Sequence, residues 1–89
     1  MEFEWDEAKR LANTAKHGLD FIDAIEVFAV AHVEEAARLT ADEPRFLAIG
    51  PFGDRVITVV FVHRGNAIRL ISARSARRGE RRRYQALYD

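Results

Sequence analysis

The chain has 89 residues, contains no cysteine and carries a formal net charge of zero. This length suits a single domain spanning residues 1–89, and the lack of cysteine excludes disulfides, zinc–thiolate sites and a thiol nucleophile. The apolar runs are too short to cross a bilayer, and the acidic start MEFEWDEAK differs from a secretory signal. We therefore expect a cytoplasmic protein that does not contact a membrane.

Two helices are predicted in the first third of the chain. Asp6 suits an N-cap, and the following residues favour a helix over Asp6–Lys16 that stops at Gly18. Asp20 can cap a second helix over Phe21–Phe28, because apolar side chains recur there at helical spacing.

Strands dominate the second half. Residues 29–43 show no clear period and are predicted to form a loop with a possible short strand. Turn signals at Gly53-Asp54 and Gly65-Asn66 then separate three predicted strands, Arg45–Ile49, Val56–His63 and Ala67–Arg74. A last helix is predicted from about Ala76 to Leu87. This order predicts an α+β fold, in which two N-terminal helices and one C-terminal helix pack on one face of a small antiparallel sheet of three to four strands.

The charges are distributed unevenly along the chain. Residues 1–43 hold 11 acidic and 4 basic side chains, whereas residues 44–89 hold 10 basic and 3 acidic ones. Twelve of the 14 basic residues are arginine, whose planar group pairs with phosphate or carboxylate through two parallel hydrogen bonds. The asymmetry indicates either a polyanionic or acidic partner, or pairing between the two halves of the fold.

The densest basic stretch runs from Arg69 to Arg83 and contains one acid, Glu80. It spans the predicted end of a strand and the start of a helix, where cations oppose the helix dipole unless an anion binds. The alternative is a solvated basic face with local ion pairs to Glu80. Arg69 and Arg74 are five positions apart, so they are predicted to point to opposite sheet faces unless a bulge intervenes.

The chain contains no metal-binding motif, no glycine-rich nucleotide loop and no nucleophile elbow, so neither a metal nor a cofactor is expected. The chemistry that remains is metal-independent cleavage of RNA, whose 2′-hydroxyl serves as the nucleophile. Lys16, His17 and the arginine stretch could supply the charge stabilisation and proton transfer that it needs. On spacing alone, His17 could equally be a helix-end histidine that interacts with the dipole.

Several blocks of the sequence resemble the BrnT family of toxins: FEWDEAK at 3–9, KHG at 16–18, ISAR at 71–74 and ERRRY at 80–84. The resemblance implies a RelE-like fold and an endoribonuclease of a type II toxin–antitoxin module that cleaves RNA and inhibits translation. It also implies a BrnA-type antitoxin as partner, in a heterotetramer of two toxins and two antitoxins that contacts operator DNA only through the antitoxin.

The resemblance and the arginine stretch together predict two sets of functional residues. The expected catalytic residues are Lys16, His17, Arg64, Arg78 and Glu80. The expected RNA-binding residues are Arg69, Arg74, Arg77, Arg81 and Arg82. We expect folding to gather them into one anion-binding pocket. Ser75 and Gly79 depart from the family's basic run, which keeps a second interpretation open: a non-catalytic module that binds nucleic acid or a partner, such as a degenerate toxin.

Overall fold

The computed structural model of the protein describes residues 1–37 and 43–88. It has three helices and a five-stranded sheet within those residues. The strands are β1 (Glu2–Glu4), β2 (Val33–Ala36), β3 (Phe46–Phe52), β4 (Arg55–Arg64) and β5 (Ala67–Ser75). The helices are α1 (Glu7–His17), α2 (Phe21–Ala24), which continues into a 3₁₀ turn over Ile25–Ala29, and α3 (Arg78–Tyr88). None of these helices is long and apolar enough to span a membrane.

The sheet has the order β1-β5-β4-β3-β2. The pairs β2–β3, β3–β4 and β4–β5 are antiparallel. Strand β1 pairs parallel with the first residues of β5. The α+β class is therefore confirmed, but the expected three to four antiparallel strands are wrong. The chain has five strands in a mixed sheet, because the three-residue segment Glu2–Glu4 adds to the free edge of β5.

Local signals explain the first helix well. The Asp6 carboxylate accepts a hydrogen bond from the amide of Lys9 at 3.1 Å, so it caps the N-terminus. Gly18 has a φ of 69°, which favours glycine, and its amide donates to the carbonyl of Thr14 at 2.9 Å. Asp20 caps α2 in the same way, through the amide of Ile22.

The main core lies between the sheet and the first two helices. Ile57, Val59 and Phe61 project from β4 and are fully buried against residues that include Leu19 and Phe21. This face of the sheet is called the packed face below. Burial of these apolar side chains is the dominant favourable contribution to folding, since it contributes about 25 cal/mol per Å².

Helix α3 lies on the other face of the sheet, so the expectation that all helices share one face is wrong. The β4 residue Thr58 points away from the packed face, because side chains alternate along a strand, and it hydrogen-bonds Glu80 of α3. Glu35 of β2 is on the same side by register and forms an ion pair with Arg83 at 2.6 Å. We call this side, which carries Thr58, Arg64, Arg69 and Arg74, the basic face.

Candidate functional site

A buried carboxylate joins the last strand to the last helix. Glu80 is 5% exposed and accepts two hydrogen bonds from the guanidinium group of Arg74, at 2.8 and 3.0 Å. It also accepts one from the hydroxyl of Thr58 at 2.9 Å and one from the amide of Arg77 at 2.8 Å. Three of these bonds end on Oε1 and one ends on Oε2, so both carboxylate oxygens are engaged. We call this set of groups the Glu80 network.

Glu80 occupies this position because of its place in the helix. Arg77 is the N-cap of α3, since its carbonyl accepts from the amide of Arg81 at 2.9 Å. Glu80 is three residues further on, where an acidic side chain reaches back to the N-cap amide. Burial alone would raise the pKa of Glu80, but the bonds from Arg74, the Arg77 amide and Thr58 outweigh it and lower the pKa to about 2. Glu80 is therefore ionised at neutral pH.

A bulge in β5 places two arginines on the same face. Phe61 pairs with Leu70 and Val60 pairs with Ser72, so Ile71 is an extra residue in β5. As a result Arg69, opposite Val62, and Arg74, opposite Thr58, both project from the basic face. The five-residue spacing predicted that Arg69 and Arg74 point to opposite faces unless a bulge intervenes. The bulge is present, so the two side chains share one face.

A shallow groove separates α1 from the edge of β5 beyond the end of β1. Its volume is about 220 Å³. The lining residues are Lys9, Ala12, Asn13, Lys16, His17, Ile71 and Ser72. The predicted pair Lys16 and His17 therefore lies in one open depression, which we call the α1 groove.

Asn13 holds the α1 groove in shape. Its side chain donates to the carbonyl of Ala73 at 2.9 Å and to that of Leu19 at 2.8 Å, and it accepts from the amide of Ala73 at 3.1 Å. Asn13 thus pairs with the β5 edge as another strand would. It fixes the C-terminal half of α1, with Lys16, beside that strand.

Ser72 connects the α1 groove to the Glu80 network. It lines the groove and lies two residues before Arg74 on the same side of β5, opposite Val60. Residues two apart on one strand face are separated by about 7 Å. The groove containing Lys16 and the buried ion pair of Arg74 are therefore neighbours along one strand.

The arginines at the start of α3 are exposed and extend this cationic region. Within residues 1–37 and 43–88, four of them have no carboxylate within 4.0 Å: Arg77, Arg78, Arg81 and Arg82. Arg81 donates to the carbonyl of Ala76 at 2.7 Å, which leaves its positive charge uncompensated. An anion that binds here would offset the unfavourable effect of cations on the helix dipole.

Arg64 does not share this location. It ends β4 at the hairpin tip, six residues along the strand from Thr58, or about 20 Å. There it forms a two-point ion pair with Glu43 at 2.7 and 3.0 Å. Hydrogen bonding to Glu43 raises the pKa of Arg64, and the same bond lowers the pKa of Glu43. The expectation of a single pocket is therefore wrong for Arg64.

Pairing between the two halves of the chain accounts for part of the charge asymmetry. Arg69 pairs with Glu4 at 2.8 Å, Arg64 with Glu43 and Arg83 with Glu35. These pairs neutralise the far end of the basic face and its β2 side. The α1 groove and the start of α3 keep their excess positive charge among the described residues.

Sequence reasoning did not assign Thr58, Lys9 or Ser72 to the site. Thr58 looks like an ordinary β-branched strand residue, and its partner comes from a helix 22 positions away. Lys9 and Lys16 are seven residues apart on a helix, a spacing that could have marked them as sharing one face. Within the described ranges, no three His, Asp or Glu side chains are arranged as metal ligands would be.

Comparison with models of protein families shows which family the chain belongs to. The model for the ribonuclease toxin BrnT of type II toxin–antitoxin systems matches residues 5–80. The chain belongs to the BrnT toxin family. The matched region includes the α1 groove, the bulged strand and the Glu80 network, and it ends before Arg81 and Arg82. None of the curated proteins compared with the chain matches it significantly.

Proposed function

We propose that this BrnT-family toxin cleaves RNA without a metal ion, at a centre formed where the α1 groove meets the Glu80 network. The observation that carries the proposal is that cationic side chains lie on both sides of Ser72. Lys16 and His17 lie in the groove on one side, and Arg74 lies on the same strand on the other. Such an array can hold a phosphodiester group and stabilise the extra negative charge of its transition state.

The reaction uses the nucleophile that RNA carries. The 2′-oxygen attacks the neighbouring phosphorus, the O2′–P bond forms and the P–O5′ bond breaks. His17 accepts the proton of the 2′-hydroxyl, and Lys16 donates a proton to the departing 5′-oxygen. Arg78 holds the non-bridging oxygens, and Arg74 adds a contact through the N–H groups that its pair with Glu80 leaves free. The products are a 2′,3′-cyclic phosphate and a free 5′-hydroxyl.

Glu80 takes a positioning role in this proposal, not the catalytic role that the resemblance implied. Its Oε1 accepts from Arg74, Thr58 and the Arg77 amide, its Oε2 accepts from Arg74, and its lowered pKa makes it a weak base. It keeps the Arg74 guanidinium oriented and ties the start of α3 to the sheet.

The remaining arginines are proposed to bind the RNA backbone outside the centre. Arg77, Arg81 and Arg82 extend the exposed cationic surface along α3. Arg64 and Arg69 lie further along the basic face, where Glu43 and Glu4 occupy them. RNA would contact these two only by exchanging with the carboxylates, so we assign them to substrate binding and leave Arg64 out of the catalytic set.

Family membership supports the wider biological part of the proposal. A type II toxin implies an antitoxin partner. We propose that this partner is a BrnA-type protein in a complex of two toxins and two antitoxins, which contacts operator DNA only through the antitoxin. Cleavage of cytoplasmic RNA would then inhibit translation. We also propose that the fold is RelE-like. The small sheet that carries the cations on one face supports this.

Incubation of the purified protein with end-labelled RNA in EDTA tests the proposal against the non-catalytic alternative. Metal-independent cleavage predicts discrete fragments that accumulate with time. A module that only binds would shift the RNA in a salt-dependent manner and leave it intact. Intact RNA after prolonged incubation, with binding retained, would overturn the proposed function.

A further inference from the structure

The α1 groove contains a cation that the cleavage centre does not use. Lys9 lies two helical turns before Lys16 on the same side of α1, about 10 Å away along the helix axis. Two lysines this far apart along the helix are spaced for two phosphates of one strand, not for a single phosphate. If Lys16 contacts the scissile phosphate, Lys9 faces a different phosphate of the same chain.

The space between the two lysines suits a nucleotide. Ala12 and Ser72 are small and leave the groove open, and the bulged residue Ile71 adds apolar surface to its wall. The volume of about 220 Å³ is open to solvent along its length. A strand can therefore enter and leave, with one sugar or base resting against the apolar wall between two charged ends.

The polar groups of the groove indicate how it binds. The Asn13 amide is fully engaged with the backbone of Leu19 and Ala73, so it has no free donor for a base edge. Neither lysine has a carboxylate within 4.0 Å among residues 1–37 and 43–88. Recognition there depends on charge and shape and is insensitive to base identity.

We infer that the α1 groove is a backbone subsite for single-stranded RNA, in which Lys9 binds a phosphate next to the scissile one. The inference rests on the proposed function, because it takes the ligand to be the RNA strand that is cleaved. It adds a residue to the substrate-binding set and predicts a minimum substrate longer than a dinucleotide.

The test measures binding, so that it does not depend on cleavage. Fluorescence anisotropy gives the Kd of 2′-O-methyl RNA, which lacks the nucleophile, as a dinucleotide and as a longer oligonucleotide at several salt concentrations. The proteins are the parent, K9Q, K9R and R45Q. Arg45 precedes β3, two strands away from β5, so R45Q removes the same charge outside the groove. Lys9 is exposed, and equal melting temperatures confirm that its variants fold.

The subsite predicts a specific pattern. K9Q weakens binding of the longer oligonucleotide about fivefold and lowers the slope of log Kd against log salt by about 0.7, the value for one lost phosphate contact. Dinucleotide binding stays within about twofold, K9R restores the parent affinity and R45Q has less effect than K9Q. An unchanged slope in K9Q, or equal effects of K9Q and R45Q, would overturn the subsite. Cleavage by the parent is measured separately. If the binding data contradict the subsite, the proposed function is unaffected. If the parent does not cleave RNA, the binding data still test the subsite.

Discussion

The guanidinium group of Arg74 and the carboxylate of Glu80 form a two-point ion pair across the junction of β5 and α3, with N–O distances of 2.8 and 3.0 Å. Their side chains are only 16% and 6% exposed. An ion pair this deeply buried is expensive to break, because either partner alone would remain charged without a counterion. The pair therefore controls both the stability of the junction and the orientation of a cation in the proposed centre.

Replacing Glu80 with glutamine removes the negative charge and keeps the shape. We expect E80Q to lower the free energy of unfolding by about 3 kcal/mol, because Arg74 is left buried and unpaired. The matched variant T58V removes one neutral donor from the same carboxylate and should cost about 1 kcal/mol. Urea denaturation of the three proteins measures both values. Equal losses in E80Q and T58V would show that the charge pair contributes nothing beyond a hydrogen bond.

The stability of the protein should depend on pH through Glu80. Folding lowers the pKa of Glu80 from its ordinary value of 4.5 to about 2, so the unfolded chain binds the proton more readily. The stabilisation is complete above pH 4.5 and is lost as the pH falls towards 2. The difference in unfolding free energy between the parent and E80Q should shrink over this range from about 3 kcal/mol. A difference that stays constant down to pH 2 would contradict the lowered pKa.

Asn13 should be essential for the position of α1. We expect N13A to cost about 3 kcal/mol of unfolding free energy, because the amide and carbonyl of Ala73 lose their side-chain partner and the carbonyl of Leu19 keeps only the long bond from Thr14. The control is L11A on the same helix, whose side chain is 57% exposed and whose loss should change stability by less than about 0.5 kcal/mol. Thermal or urea unfolding provides the measurement. N13A as stable as L11A would show that the hydrogen bonds to β5 are dispensable.

The two ends of the basic face should contribute differently to cleavage. R78Q and R64Q each remove one arginine charge. Arg78 begins α3 beside the proposed centre. Arg64 pairs with Glu43 and lies about 20 Å along β4 from Thr58. We expect R78Q to lower kcat/KM for RNA at least tenfold and R64Q less than about threefold. Rates under matched salt decide the point. Similar losses of kcat/KM in the two variants would show that Arg64 contributes to the cleavage centre as much as Arg78 does.

Elements governed by neighbouring residues could be predicted from the sequence. The cap at Asp6, the stop at Gly18 and the turn at Gly65-Asn66 depend on local backbone preferences, and the structure confirms them. The short strand suggested within residues 29–43 corresponds to Val33–Ala36, and part of that segment lies outside the described residues. The parallel strand Glu2–Glu4 could not be predicted, because three residues carry no period and their partner is 65 positions away.

The candidate site shows the same division between local and long-range information. Lys16 and His17 could be singled out because they end a helix. The common face of Arg69 and Arg74 depends on a bulge at Ile71, and an apolar residue in a strand gives no sign that it is the extra one. The role of Glu80 depends on Thr58, which folding alone brings into contact. Its placement at the third residue of α3 was the one local sign of that role.

The most direct measurement of the central claim is the chemistry of the RNA ends that the purified protein produces in EDTA, compared between the parent and H17Q. The account predicts fragments with 2′,3′-cyclic phosphate and 5′-hydroxyl ends, and a rate at least about a hundredfold lower in H17Q, the usual contribution of a proton-transfer group. Fragments with 5′-phosphate ends, or an H17Q variant as fast as the parent, would contradict it.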